Sequence, residues 1–400
     1  MVIIMKLQYK NNLKYNYIFR FLSSFDLSSA IWVLYLIHKG LPLWQIGLME
    51  GIFHVISFLS EIPTGAVADI LGRKKALILS RVCHAISAII MLFASGFWQF
   101  VIGFAFSAWG YNLNSGSEEA MVYDSLKMVG KENNYLKISG HLEVILNIAQ
   151  GIAIFIGGVL AEQSFYYCYG AALFVSVLSL LPCIMLKEPV ITKKEETHQI
   201  SLKKHFIDSY QAIRSNPKVI EILLSYSVIF TIYMIIYFYG QKYFSELGLD
   251  KMQISMVMSL TLVLSCIGAM CCNWVESLLK EQTKVYATLV IGLGIIGLTA
   301  GNLVLAIVCF SIMGFANTLL YPIQSNALNN LIPSEQRATI LSVNSMAYSL
   351  FMLILFPIVG GIADKIGLGI TFIGLGVIII ISSVGLISRK RIGELFVKSS

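Results

Sequence analysis

Long apolar runs separated by short polar intervals recur along the whole chain. Twelve can be placed, near residues 17-38, 45-68, 76-95, 98-122, 138-161, 165-186, 219-245, 253-275, 285-301, 303-328, 338-362 and 367-388. Each reaches the roughly 17 residues that a helix needs to cross the hydrocarbon core of a bilayer. No water is available there to satisfy a backbone, so a helix is the expected element for every run. The pattern predicts an all-α polytopic membrane protein with twelve transmembrane helices.

One sizeable polar interval, 187-218, interrupts the series after the sixth run, with Lys193, Lys194, Glu195, Glu196, Lys203 and Lys204. It is read as a linker between two six-helix bundles, residues 1-186 and 219-400, and its part from Ser201 to Ser215 is expected to form a short surface helix. An internal repeat supports the division. Gly40-Leu41-Pro42-Leu43-Trp44-Gln45-Ile46 matches Gly248-Leu249-Asp250-Lys251-Met252-Gln253-Ile254, which places Gln253 208 residues after Gln45. Ile156-Gly157-Gly158-Val159 likewise matches Val359-Gly360-Gly361-Ile362, and Glu132 with Ser139 matches Glu335 with Ser342, both 203 residues apart.

Between the second and third runs the chain reads Glu61-Ile62-Pro63-Thr64-Gly65-Ala66-Val67-Ala68-Asp69-Ile70-Leu71-Gly72-Arg73-Lys74-Lys75-Ala76-Leu77. Small residues allow a neighbouring helix to come close within lipid, and a Lys/Arg cluster after a span marks a cytoplasmic face. Asp69 lies four residues before Arg73, so the two can pair across the turn or with partners on other helices. Gly65, Asp69, Gly72, Arg73 and Lys74 resemble the signature joining the second and third helices of major facilitator superfamily transporters. Asp124 is similar to the acid at the end of the fourth helix that completes this gating latch. The resemblance implies two bundles in parallel topology with a substrate site between them near the midplane, lined by the first, fourth, seventh and tenth helices.

Charge orients this layout. All but six of the 29 Lys and Arg lie in the termini and in the loops after even-numbered spans, so both termini are expected in the cytoplasm and the chain in the plasma membrane. The net charge of +7 is a topology signal and implies no nucleic-acid partner. A composition of 57% hydrophobic and 13% charged residues, with mean hydropathy +0.76, lies outside the range of soluble domains. The first run lacks a cleavage site and is expected to remain as a helix. The seven cysteines all fall inside apolar runs; they read as small packing residues, without disulfide or metal-ligand spacing.

Ionisable residues within the runs are concentrated in the first half: Asp26; Glu50, His54 and Glu61; Arg81 and His84; Glu118 and Glu119; His141 and Glu143. A carboxylate at membrane depth costs about 2.5 to 3.5 kcal/mol on insertion scales, and such residues mark ion or substrate routes. Glu50, His54, Ser57 and Glu61 share one helical face, as do Glu143, Asn147 and Gln150. Asp26, Glu61, Glu119, Glu50, His54 and Glu143 are the candidate proton-coupling residues, and Arg81 is expected to pair with an acid such as Glu119 or Asp124. In the second half Tyr226, Phe230, Tyr233 and Tyr237 form an aromatic stripe in the seventh run. With Asn112 and Asn317 they are the candidate lining of a cavity for bulky lipophilic or cationic substrates, aromatic helix packing being the alternative reading.

The stretch from Glu61 to Leu77, with Ser115-Gly116-Ser117-Glu118-Glu119-Ala120 and Asp124, resembles bacterial drug:proton antiporters. The resemblance implies proton-coupled efflux of small amphipathic compounds by alternating access of the two halves. Three positions depart from that pattern: Ala153 and Ile154 replace a Gly-Pro pair in the fifth span, Phe106 stands in place of an Arg in the fourth, and Cys272 in place of an Asp after Gly268. The alternatives are a symporter or facilitator for one metabolite and, less in keeping with the short linker, a non-transporting membrane sensor. No nucleophile-base pair or metal-ligand set is evident, so neither an enzyme nor a resident cofactor or metal is expected. The energy source is the proton gradient, the partners are a small-molecule substrate, protons and lipid, and the working form is a monomer.

Overall fold

In the computed structural model, residues 2-189, 217-331 and 337-398 are described, and every regular element among them is helical. The expected surface helix at Ser201 to Ser215 lies outside the described residues. Eight helical stretches among those described are long and apolar enough to cross a membrane, and two shorter apolar helices begin at Thr283 and Leu368. The chain divides into two compact units, one made of Met1–Tyr35 and Leu48–Leu202, the other of Leu36–Gly47 and Lys203–Ser400.

The first apolar run is not one helix. Helix α1 (Val2–Ser23) stops, the chain passes through a non-helical stretch, and α2 (Trp32–His38) resumes. Serine and aspartate offer the backbone hydrogen bonds that compete with a helix, and here they take them. Asp26 Oδ1 accepts from Ser28 N at 2.9 Å and from Ser28 Oγ at 2.8 Å, while Ser29 Oγ donates to Asp26 O and Ser23 Oγ to Arg20 O.

The rest of the first unit is α3 (Leu43–Leu71, from Leu48 on), α4 (Arg73–Phe93), α5 (Phe97–Met128), α6 (Tyr135–Gln163), α7 (Phe165–Leu178) and α8 (Leu180–Met185). Helix α5 is long enough to span, but Glu118, Glu119, Asp124 and Lys127 make its second half polar. The sixth run divides at Ser179 into α7 and α8; Pro182 has no N–H to offer and its ring crowds the carbonyl four residues back. Along α6 the small residues Ala149, Ala153, Gly157 and Ala161 form one buried row. This row lets α6 lie directly against the non-helical stretch. A Cβ on Gly157 would fall on the Leu27 carbonyl, whose oxygen also accepts from Cys168 Sγ at 3.3 Å.

The second unit contains α9 (Pro217–Glu246), α10 (Lys251–Leu279), α11 (Thr283–Leu298), α12 (Leu303–Leu331), α13 (Arg337–Ile366) and α14 (Leu368–Lys398). Helices α10 and α12 approach through glycines, since a Cβ on Gly268 would meet Phe315 O at 2.6 Å and one on Gly314 would meet Thr261 Cγ2 at 2.7 Å. Close approach of small residues is how helices pack in lipid, where burial of apolar surface offers little gain.

Leu36–Gly47 belongs to this second unit, and the internal repeat explains one of its contacts. Asp250 caps α10 by accepting from Gln253 N at 2.7 Å, but its counterpart before α3 is Pro42, which has no side-chain acceptor. Asp364 of α13 supplies the missing carboxylate. Its Oδ1 and Oδ2 accept from Leu43 N and Trp44 N, each at 3.0 Å. Tyr239 Oη reinforces the junction by donating to Leu43 O at 2.8 Å or Phe356 O at 3.1 Å. Loss of a helix N-cap costs about 0.5–2 kcal/mol. Asp364→Ala is therefore expected to lower the midpoint of thermal unfolding of the purified protein, and Asp364→Asn to lower it less. An Ala variant that melts with the wild type would show that this cap contributes nothing.

Candidate functional site

Helix α1 carries Arg20 into the interior of the first unit three residues before its break. Arg20 Nη1 donates to Glu118 Oε2 on α5 at 2.9 Å, and Nη2 donates to Glu143 Oε1 on α6 at 2.7 Å. Asn114 Nδ2, one turn before Glu118, donates to the same Oε2 at 3.0 Å. The two acids differ in setting: Glu118 is 2% exposed, whereas the Glu143 side chain is 61% exposed. One guanidinium thus bridges a carboxylate sealed in the unit to one at its surface.

A second arginine closes the cluster from α4. Arg81 is buried, within electrostatic range of Glu118, and lies 5.5 Å from the Phe19 ring centroid. Its Nη2 donates to Ser80 Oγ at 2.9 Å and its Nη1 to Ser23 O at 3.5 Å, so it holds the carbonyl at the end of α1. Arg81 was expected beside Glu119 or Asp124; its contacts are instead with Ser80, Ser23 and Phe19, with Glu118 the acid it senses. Two arginines and two glutamates from four helices make a compact set in which the buried charges are offset.

The tandem Glu118-Glu119 explains why the buried acid was missed. Consecutive helical residues point about 100° apart, and here Glu119 is on the exposed side while Glu118 turns inward. Spacing could have distinguished them, because Asn114, Glu118 and Ser125 share a helical face that omits Glu119. The partner, Arg20, had no such local signal.

The other candidate coupling residues occupy separate places. Asp26 is exposed in the break after α1 and closes its turn onto Ser28. Glu50 and His54 meet one turn apart on α3, His54 Nε2 lying 3.6 Å from Glu50 Oε1. Glu61 is exposed near the middle of the same helix. Between α3 and α5, Ser57 Oγ donates to Asn112 Oδ1 at 2.8 Å, and Asn112 Nδ2 donates to Ser60 Oγ at 2.8 Å and to Ser57 O. The amide of Asn112 thus ties two helices together.

The latch residues are assembled around a carboxylate that the motif does not contain. Gly72 takes φ 97°, a conformation that favours glycine, and frees the first amides of α4. Glu188 accepts from Arg73 N and Lys74 N, each at 2.8 Å, and a Cβ on Gly72 would lie 2.8 Å from its carboxyl carbon. An acid at a helix N-terminus complements both the unpaired N–H groups and the helix dipole. Lys74 Nζ donates to Ile184 O at 2.7 Å, and Arg73 Nε lies 3.4 Å from Asp124 Oδ2. Asp69 and Gly65 are exposed on α3. The pairing of Asp69 with Arg73 is not made; Asp124 takes that arginine.

In the second unit Tyr226 is 2% exposed and Tyr233 is also buried, while Phe230 and Tyr237 are half-buried. Lys284 Nζ sits 4.3 Å above the Tyr226 ring and donates to Ser225 Oγ at 2.8 Å. Tyr237 stacks on Phe310 with ring centroids 5.9 Å apart. Asn317 is half-buried, and its Oδ1 is one of the buried side-chain atoms without a hydrogen-bond partner among the described residues.

Comparison with known proteins places this arrangement. The family model described as Major Facilitator Superfamily matches residues 17–299. Over 364 residues the chain is 24% identical to the uncharacterized MFS-type transporter YxaM of Bacillus subtilis (strain 168), covering 88% of this chain and 89% of that protein. It is 24% identical over 165 residues, 40% of each chain, to the uncharacterized MFS-type transporter MJ1560 of Methanocaldococcus jannaschii. Among solved structures, a mutant of the nucleoside transporter NupG superposes with TM-score 0.80 at 14% identity, covering 95% of this chain and 99% of that one. A POT family transporter in complex with 5-aminolevulinic acid gives TM-score 0.72 at 16% identity, covering 94% and 96%. At such identities the likeness is one of fold. The match of the family model across most of the chain, with one transporter relative aligned over 88% of it, makes this protein a member of the Major Facilitator Superfamily, a multi-pass membrane transporter of small molecules.

Proposed function

We propose that the protein is a proton-coupled exporter of small amphipathic compounds, working by alternating access with twelve spans in two six-helix bundles, both termini in the cytoplasm and the plasma membrane as its site. The observation that carries proton coupling is the bridge from Arg20 to buried Glu118 and exposed Glu143. With both acids ionised and Arg81 alongside, the set is balanced. When one of the two acids takes up a proton, Arg20 keeps the other as its partner, and the cluster gains one positive charge at a fixed geometry. Burial disfavours that excess charge. Loading is therefore linked to a change in surroundings, which is the requirement for coupling a proton to a conformational cycle. One proton crossing the membrane carries about 2.3 kcal/mol per 100 mV and about 1.4 kcal/mol per pH unit, enough for a substantial substrate gradient.

The outward direction and the amphipathic cargo are supported by the motif resemblance and by the aromatic groups of α9. A second reading, import of one polar metabolite, draws on the structural neighbours, which include a nucleoside transporter and a peptide transporter. Inverted membrane vesicles separate the two. With the vesicle interior made acidic, so that protons leave as substrate enters, ethidium is expected to accumulate severalfold and to be released by an uncoupler. Absence of ethidium uptake, together with proton-driven nucleoside or dipeptide uptake into right-side-out vesicles, would replace export with import.

A further inference from the structure

The face of α1 that bears Arg20 continues through the unit as a row of polar groups. Asn12, Asn16, Arg20 and Ser23 recur at i, i+4, i+8 and i+11, which is one helical face. Opposite them on α5 stand Asn114, Glu118, Met121 and Ser125, at i, i+4, i+7 and i+11 and likewise on one face. The helices run in opposite directions, since Arg20 meets Glu118 while Asn12 Nδ2 donates to Ser125 Oγ at 3.0 Å. Asn12 also brackets the start of the linker, donating to Lys187 O and accepting from Lys187 N, each at 2.8 Å.

Asn16 is the middle rung. It is 1% exposed, and both its Oδ1 and Nδ2 are without a hydrogen-bond partner among the described residues. Other buried atoms in the same state cluster beside it: Glu118 Oε1, Arg20 Nε, Asn114 Oδ1 and Arg81 Nε. A buried polar group without a partner costs the full desolvation of that group, and internal water is the usual partner of such groups, typically making about three hydrogen bonds. Successive rungs lie one helical turn apart, about 6 Å, which is two hydrogen-bond lengths. A chain of single waters, one per rung, would have the spacing to link Glu118, Asn16 and the Asn12–Ser125 pair.

We propose that Asn16 holds an internal water chain along the α1–α5 seam that carries protons between Glu118 and the Asn12–Ser125 end of the unit, the end that charge distribution assigns to the cytoplasm. The proposal rests on the coupling role of the Arg20–Glu118–Glu143 cluster. A proton on Glu118 Oε1 passes to the adjacent water, that water passes one of its own protons onward, and the amide of Asn16 orients the chain without exchanging a proton itself. The charged groups facing the seam are Arg20 on α1, Arg81 on α4, Glu118 on α5 and Glu143 on α6, with Asp124, paired to Arg73, at its far end. Asn16 is thus a positioning residue.

The test uses the purified full-length chain after a rapid pH jump, with a pH-sensitive dye reporting proton uptake and the signal missing from Glu118→Gln defining the part due to this acid. Asn16→Leu is expected to slow that component at least tenfold with its amplitude retained, and Asn16→Ser, which keeps a polar group and leaves room for water, to stay within threefold of wild type. Thermal unfolding of both variants is measured alongside, because a purely structural role would shift stability and leave the rate of the Glu118 component unchanged. An Asn16→Leu rate equal to wild type overturns the water chain while leaving the coupling cluster intact. A wild-type chain with no component dependent on Glu118 overturns the coupling reading, and the chain with it.

Discussion

Glu118→Gln is expected to abolish proton-driven transport, a reduction of at least a hundredfold, in a protein that still reaches the membrane folded. The amide retains an oxygen for Arg20 and for Asn114, and Glu143 continues to neutralise Arg20. The penalty should therefore fall below the roughly 3–5 kcal/mol that accompanies breaking a buried ion pair. Arg20→Gln makes the converse change. It leaves Glu118 at 2% exposure without its direct cationic partner and is expected to incur most of that penalty, visible as a lower unfolding midpoint together with lost transport. The measurement is substrate accumulation in vesicles under a proton gradient, with the amount of folded protein determined in parallel. Glu119→Gln is the companion that locates the chemistry, because its carboxyl lies on the exposed side of the same helix. Full transport in Glu118→Gln and loss in Glu119→Gln would move the coupling to the neighbouring carboxylate.

The largest effect on folding is expected from Gly157→Val. At this position even a single Cβ would coincide with the Leu27 carbonyl, and the atom it meets is backbone, which cannot rotate away as a flexible side chain can. Overpacking a well-filled interior costs typically about 1–3 kcal/mol, and a branched side chain pressed onto main chain belongs at or above the top of that range. Against a total stability of about 5–15 kcal/mol, this should sharply reduce the folded protein recovered from membranes, as read by size-exclusion of a fluorescent fusion. Gly170→Ala, where nothing lies within 4 Å of the added carbon, serves as the control and should elute like wild type. Normal recovery of Gly157→Val would mean that the break after α1 is free to move away from α6.

The break itself shows how far periodicity carries. Hydropathy made residues 17-38 a single span because the average over the run is apolar. The interruption is decided by Ser23, Asp26 and Ser29, short polar side chains that bond nearby backbone. That signal was present in the sequence, but its outcome also depends on Gly157 accepting the bent chain against α6, a contact more than a hundred residues away. The cap of α3 is similar. Pro42 in place of Asp250 could be read from the repeat, yet nothing local names Asp364 as the substitute.

What the sequence by itself determined is the medium, the element type and the family. Apolar runs of membrane length leave a helix as the way to satisfy the backbone, and the turn from Gly65 to Lys74 carries the superfamily signature. The acids of the first half were also legible as a group, since charge within an apolar run stands out without any knowledge of partners. Only the tertiary structure decided which of them lie together. Whether Glu118 or Glu119 turns inward, whether Arg73 pairs with Asp69 or Asp124, and whether Glu188 enters the latch depend on helix rotation and on approaches between distant segments. One residue of rotation moves a carboxylate by about 100° around its helix, and hydropathy averaged over a span is blind to that angle. Arg20 reached Glu118 and Glu143 because α1 packs against both α5 and α6, and it is this proximity that brings the scattered charges together.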